Sequence, residues 1–157
     1  MKAVVEIQQA DVTDAGEVLL LQRLAYQSEA AIYDDYTIPP LTQSLDEIKG
    51  DLQSQVFLKA SIDGKIVGSV RGYERDGTCF IGRLIVHPDW QNQGIGTRLM
   101  KEMEQRFPQA RRFELFTGDK SERNLYLYQK LGYHKFRTAQ QTDRVGLVYL
   151  EKVADKP

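Results

Sequence analysis

Residues 56–87 read as three strand-like runs, VFLKASI, KIVGSVRGYE and CFIGRLIVH, joined by the turn sequences DG and RDGT. Asp-Gly supplies the left-handed backbone that a tight hairpin needs, and links this short leave no room for a crossover, so the runs must form an antiparallel meander. The rest of the chain has to be arranged around that sheet. Directly after it, in HPDWQNQGIGTRLM (residues 87–100), the third strand passes through two glycines into the helical pattern GTRLMKEMEQRF. There Leu99, Met103 and Phe107 recur at four-residue spacing and Pro108 stops the helix.

Upstream, AVVEIQ (3–8) reads as a strand, and DVTDAGEVLLLQRLAYQSEAAIY as a helix with Val18, Leu21, Leu24 and Ala25 on one face. A loop through DDYTIPPLTQS follows, and Ser44 with Glu47 forms a capping-box pattern ahead of the short helix LDEIKGDLQS. Downstream come the strand RRFELFT, the helix SERNLYLYQKLG with Ser121 as cap and Gly132 at its end, and the strands YHKFRTA and RVGLVYLEK. The order β-α-α-β-β-β-α-β-α-β-β predicts an α/β fold, a mixed sheet flanked by helices, as one domain over residues 1–157.

Twenty-one basic against 22 acidic side chains leave no overall field to draw the chain to nucleic acid or to a membrane. A nucleic-acid role would need Lys101, Arg106, Arg111 and Arg112 to share one face. No window approaches the run of about 18 apolar residues needed to cross a bilayer, so a cytoplasmic protein is expected. The lone Cys79 has no His or Lys at activating spacing and reads as a small buried side chain, and the two histidines have no ligand spacing. No metal site is expected.

The glycines carry the functional signal. The first amides of a helix lack intrahelical partners and, with the macrodipole, attract an anion; Gly94 and Gly96 would let a phosphate approach the backbone where a Cβ would obstruct it. A nucleotide-triphosphate loop needs a Gly-Lys-Ser/Thr ending, and here Thr97 and Arg98 follow the last glycine. A dinucleotide fold needs a third glycine where this chain has Leu99, and a parallel βαβ context rather than a meander. What remains is a short splayed loop between a strand and a helix.

That loop, Gln91-x-x-Gly94-x-Gly96 after the strand 84–86, resembles the Gln/Arg-x-x-Gly-x-Gly/Ala signature of the GNAT superfamily of acyl-CoA-dependent N-acyltransferases. The element order is similar over nearly the whole chain. The resemblance implies acetyl-CoA as cosubstrate, its pyrophosphate cradled by the amides of Gln91, Asn92, Gln93, Gly94, Ile95, Gly96 and Thr97. Arg98 and Lys101, just beyond, are candidates for the 3′-phosphate. It also implies that the Leu84 amide faces the thioester carbonyl, and that the strand Leu84–Ile85–Val86 holds the pantetheine arm, Val86 bonding its amides.

In NLYLYQKLGY, Asn124 and Tyr128 are four apart and share a helix face, whereas Tyr126 points elsewhere. By resemblance Asn124 binds the pantetheine arm and Tyr128, four residues before Gly132, protonates the coenzyme A sulfur. Many members carry a glutamate four residues before the position of Leu84; here that position is Phe80. Glu74, at the end of the preceding strand, is the substitute candidate for the general base, with a water chain as the alternative.

The resemblance places the acceptor cleft at residues 29–51, where Glu29, Asp34, Asp35, Asp46, Glu47 and Asp51 outnumber Lys49 and interleave with Tyr33 and Tyr36. Acidic and aromatic groups suit a cationic amine. Arg71 and Arg83, on adjacent strands, would instead suit an acceptor carboxylate if they face the cleft. A polyamine-like substrate and an amino acid or peptide end, as a small molecule or part of a protein, are both open. The rival to an N-acetyltransferase acting by direct attack in a ternary complex is a coenzyme A-binding sensor or interaction module without chemistry. Homodimers are common in the family, though no stretch marks an interface.

Overall fold

A computed structural model describes residues 3–154. Seven strands form one sheet: β1 (Glu6–Gln9), β2 (Val56–Ile62), β3 (Lys65–Arg75), β4 (Thr78–Val86), β5 (Arg112–Gly118), β6 (His134–Gln140) and β7 (Gly146–Val153). Their spatial order is β1-β2-β3-β4-β5-β7-β6. The meander β2-β3-β4 is antiparallel as its turns require, and among the described residues the sole parallel pair is β4 with β5, joined by a helical crossover.

The helices are α1 (Ala15–Ala25), α2 (Gln27–Tyr33), α3 (Pro39–Thr42), α4 (Leu45–Ser54), α5 (Ile95–Gln105) and α6 (Glu122–Lys130). Side chains alternate across the meander, so Phe57 packs with Ile48 and Leu52 of α4 while its neighbour Leu58 faces Leu99, Met100 and Met103 of α5. The sheet is thus covered on both faces. The Ser44–Glu47 capping box is present in both directions, with Ser44 accepting the Glu47 amide and Glu47 accepting the Ser44 amide.

Several local expectations change. The expected long first helix breaks at Tyr26, where ψ rises to 0°; its buried face is Ala15, Val18, Leu19, Leu21 and Gln22, and Leu24 is exposed. The expected proline loop contains α3, started by Pro39 and Pro40 at positions where a missing N–H costs nothing. Ser121 occupies the cap position of α6 without capping it; its hydroxyl donates to Glu29 instead.

One irregularity shapes the functional side. In β4, Arg83 sits at φ 49°, and between the pairs Arg71↔Gly82 and Ser69↔Ile85 the residues Arg83 and Leu84 face Val70 alone. This bulge bends the strand. The ladder with β5 joins only Thr78–Phe80 to Arg112–Glu114, although β4 runs on to Val86 and β5 to Gly118. The two strands splay apart beyond Phe80.

Candidate active site

Two clefts meet at the splay. The larger, about 480 Å³, lies between the end of β4, the start of α5 and the outer face of α6. The smaller, about 270 Å³, lies between β4, β5, α2, α3 and the β6–β7 connection. Tyr26, Glu29, Leu84 and Asn124 line both, so a molecule held in one meets a molecule held in the other at these four residues.

The larger cleft gathers most of the expected cofactor residues: Leu84, Ile85, Val86, Gln91, Asn92, Gly94, Ile95, Gly96, Thr97 and Asn124 all line it. Gly94 is the N-cap of α5 at φ 83°, a conformation that strains any other residue, and the helix start has no side-chain cap and no acidic residue in its first turn. Its free amides therefore open on the cleft. A Cβ on Gly96 would meet only Leu127, Leu84 and Val86, at 3.5–3.9 Å, so protein packing does not demand glycine there. These features fit the diphosphate and pantetheine of a coenzyme A molecule.

Gln93 and Arg98 do not line this cleft; Arg98 donates to the Val5 carbonyl near β1. Lys101 is exposed. The cations at the mouth are Arg123 and Lys130 of α6, which the sequence reading missed. Arg123 hydrogen-bonds the side chains of Gln91 and Asn92 and so ties α6 to the glycine loop. A cation in the first turn of a helix opposes the macrodipole, and that misfit was a readable signal.

Asn124 and Tyr128 share the inner face of α6, Asn124 donating to Thr117 Oγ1 at 3.3 Å, while Tyr126 is 69% exposed. Tyr128 is buried and lines the smaller cleft, where burial first, then nearby Tyr26 and Glu29, hold its phenol well above the ordinary range. It stays protonated at neutral pH.

Glu74 is not in this constellation. It is exposed beside the β3–β4 turn and pairs with Cys79, five residues before Leu84, which at about 3.3 Å per residue is roughly 16 Å along the sheet. It lines neither cleft. The position of the absent strand glutamate, Phe80, stacks on Tyr73 with ring centroids 5.3 Å apart.

Glu29 does reach the junction of the clefts. Burial raises its carboxyl above the usual range, partly offset by the Ser121 hydroxyl, which donates to it at 2.5 Å. The break at Tyr26 positions this part of α2, and Tyr26 itself, missed in the sequence, has its phenol pushed up to about 12 by burial, with Arg83 pulling the other way.

Three of the other acidic residues of this segment serve the fold. Asp35 accepts from Thr37, Glu47 caps α4, and Asp51 pairs with Arg71 at 2.7 Å. Arg71 is buried, lies over the Phe57 ring, donates to Gln22 as well as Asp51, and lines neither cleft. Its side chain is committed to the core. Arg83 lines the smaller cleft and donates to Gln43 at 2.6 Å. Tyr33 lines it too, but its hydroxyl donates to Asp119 and accepts from the Lys120 amide, fixing the β5–α6 loop.

Cys79 is fully buried, its thiol raised to about 12 by burial and the nearby Glu74 and Glu104. Of the basic residues weighed for a nucleic-acid face, Arg112 pairs with Glu114 and Glu151, Arg106 donates to Gln9 and Arg111 to the Asp76 carbonyl. Among the described residues no helix is long and apolar enough to cross a membrane.

The structure thus sets a strand that splays past a bulge beside a glycine-capped helix start. The profile of the acetyltransferase (GNAT) family matches residues 21–133, and the chain belongs to that family. Among solved structures, the PaiA N-acetyltransferase of Thermoplasma acidophilum in complex with coenzyme A has a TM-score of 0.79 at 16% identity, over 96% of this chain and 99% of that one. The ribosomal-protein-S18-alanine N-acetyltransferase of Escherichia coli has a TM-score of 0.81 at 14% identity, over 98% and 96%. A curated relative, the UPF0157 protein YqkA of Bacillus subtilis, is 28% identical over 134 residues, 85% of this chain. The chain spans 38% of that relative's length.

Proposed function

We propose that this protein is an acetyl-CoA-dependent N-acetyltransferase that acts on a primary amine by direct attack in a ternary complex. The observation that carries the reading is the junction of the two clefts, where a coenzyme-sized groove ending at uncapped helix amides meets a second pocket holding a half-buried carboxylate, Glu29, and a buried phenol, Tyr128. The coenzyme A complex of the Thermoplasma relative supports the choice of cosubstrate.

Acetyl-CoA, when bound, supplies the thioester. The amides of Gln91, Asn92 and Gly94 through Thr97 hold its diphosphate, with Arg123 and Lys130 at the mouth, and Asn124 and Val86 bind the pantetheine arm. Leu84 is in neither the β3 nor the β5 ladder, which leaves its amide available to the carbonyl oxygen as charge develops there. One such donor is typically worth about 3 kcal/mol.

Glu29, in place of Glu74, takes the proton that the amine nitrogen sheds on attacking the carbonyl carbon. As the carbon–sulfur bond breaks, Tyr128 donates its hydrogen bond and then its proton to the sulfur, and solvent returns a proton from Glu29 to the phenol. The products are an N-acetyl amide and the free thiol.

The test is acetyl-CoA-dependent thiol release across a panel of primary amines, with Tyr128→Phe as the internal control. Turnover is expected to fall at least tenfold in that variant while its affinity for coenzyme A, read by titration, stays near that of the wild type. Wild-type turnover would remove Tyr128 from the mechanism. Thermal stabilisation by acetyl-CoA without thiol release for any amine would favour a sensor module.

A further inference from the structure

The smaller cleft has a specific chemical imprint. Its apolar lining, from Ile38, Ile81, Phe116, Val145 and Leu147, stands beside the neutral polar side chains of Thr117, Asn124 and Gln141, and its charged lining residues are Glu29 and Arg83. This anion and this cation differ in how they are satisfied. Glu29 has the Ser121 hydroxyl, whereas Arg83 has one neutral amide oxygen, that of Gln43, and forms no ion pair among the described residues.

The contrast with Arg71 sharpens the point. Gln43 joins the two arginines into one network, donating to Asp51 at 2.7 Å while accepting from Arg83, and Asp51 in turn accepts from Arg71. Only the Arg71 end of that network has its carboxylate. A guanidinium fixed at its root by a bulge, held by one hydrogen bond and facing an apolar pocket, retains donors in the fork geometry that matches a carboxylate.

Resting on the acetyltransferase reading above, we infer that the acceptor is a small apolar α-amino acid. Arg83 receives its carboxylate, Glu29 faces its amino group, and its side chain lies against Ile38, Phe116 and Leu147. The volume, about 270 Å³, agrees with an acceptor this small, since pockets for drug-sized ligands begin at about 300 Å³. A peptide amino terminus carries the amine without the adjacent carboxylate, so Arg83 would have no anion to meet.

The experiment compares kcat/KM for L-leucine, L-leucinamide, 3-methylbutylamine and the peptide Leu-Gly-Gly at saturating acetyl-CoA. Leucine is expected to exceed each of the others by about 10–150-fold, the worth of a hydrogen bond to a charged group. The amide has the less basic amine and so more of the reactive neutral form, which makes a leucine preference a report on the carboxylate. In Arg83→Gln the ratio of leucine to 3-methylbutylamine should fall towards one, and Arg83→Lys should lie between. The acetyl-CoA-induced rise in Tm checks that each variant still folds and binds cosubstrate.

Equal turnover of leucine and 3-methylbutylamine by the wild type, a preference for the peptide, or a leucine preference that survives in Arg83→Gln would overturn the amino-acid assignment and leave acetyl transfer standing. Thiol release with no amine at all would overturn both.

Discussion

The two ends of β4 are built from one continuous strand and behave oppositely. From Thr78 to Phe80 it is held on both sides, by β3 and by β5, and its side chains are consumed by packing: Cys79 in the core, Phe80 against Tyr73. From Gly82 to Val86 the β5 side is open, Arg83 and Leu84 have left the β3 register, and both clefts form against this stretch. A single extra residue in the strand separates a sealed end from an open one. The open end is made by withholding backbone pairing, since beyond Phe80 the strand has no β5 partner.

The largest expected effect comes from removing the base that serves the open end. Glu29→Gln keeps a group able to accept from Ser121 but cannot take a proton, and kcat/KM should fall by about 10²–10⁴-fold. Because burial raises the Glu29 carboxyl, the ionised form is lost already above the ordinary carboxylate range as pH falls. The wild-type pH–rate profile should therefore show an acid limb at raised pH, and Glu29→Gln should lack it. An unchanged limb in the variant would move the base to a water chain.

Next in size is the cradle. A Cβ at Gly96 has ordinary clearance from Leu84, Val86 and Leu127, so Gly96→Leu should fold, and its longer side chain should occupy the space a diphosphate needs. Acetyl-CoA at 100 times its dissociation constant should stabilise the wild type by about 2.7 kcal/mol, roughly 5–10 °C in Tm. Gly96→Leu should lose most of that shift while its ligand-free Tm stays near the wild-type value. A full shift in the variant would mean that the glycine is not part of a phosphate site.

The sequence disclosed the backbone-made half of the site better than the side-chain-made half. Gln91, Gly94 and Gly96 lie within six residues, and their conformational demands are local, so their placement at the end of a strand and the head of a helix could be read directly. The smaller cleft is assembled from α2, α3, β4, β5, α6 and the β6–β7 connection, and membership depends on long-range geometry. That is why Arg71 and Arg83 looked equivalent in sequence, twelve positions apart on adjacent strands, when one is sealed against Asp51 and the other is open. Tyr26 was hidden for a related reason: helical periodicity runs through it, whereas beyond the break Ala30 and Tyr33 of α2 pack in a separate cluster with Ile38, Val145 and Leu147.

At the closed end a substitution should touch stability and spare the chemistry. A Cβ at Gly72 would come 3.0 Å from Met103 Sδ and 3.3 Å from the Phe80 carbonyl oxygen. The methionine can shift, but the carbonyl belongs to the sheet, so Gly72→Ala should cost about 1–3 kcal/mol, the usual penalty of overpacking. For a domain this size that lowers Tm by roughly 2–12 °C. Below the transition, KM for acetyl-CoA and the ratio of leucine to 3-methylbutylamine should match the wild type, because the bulge separates Gly72 and Phe80 from Leu84. A changed acceptor ratio in this variant would show that strain passes along β4 through Arg83, and the two ends would then be one mechanical unit.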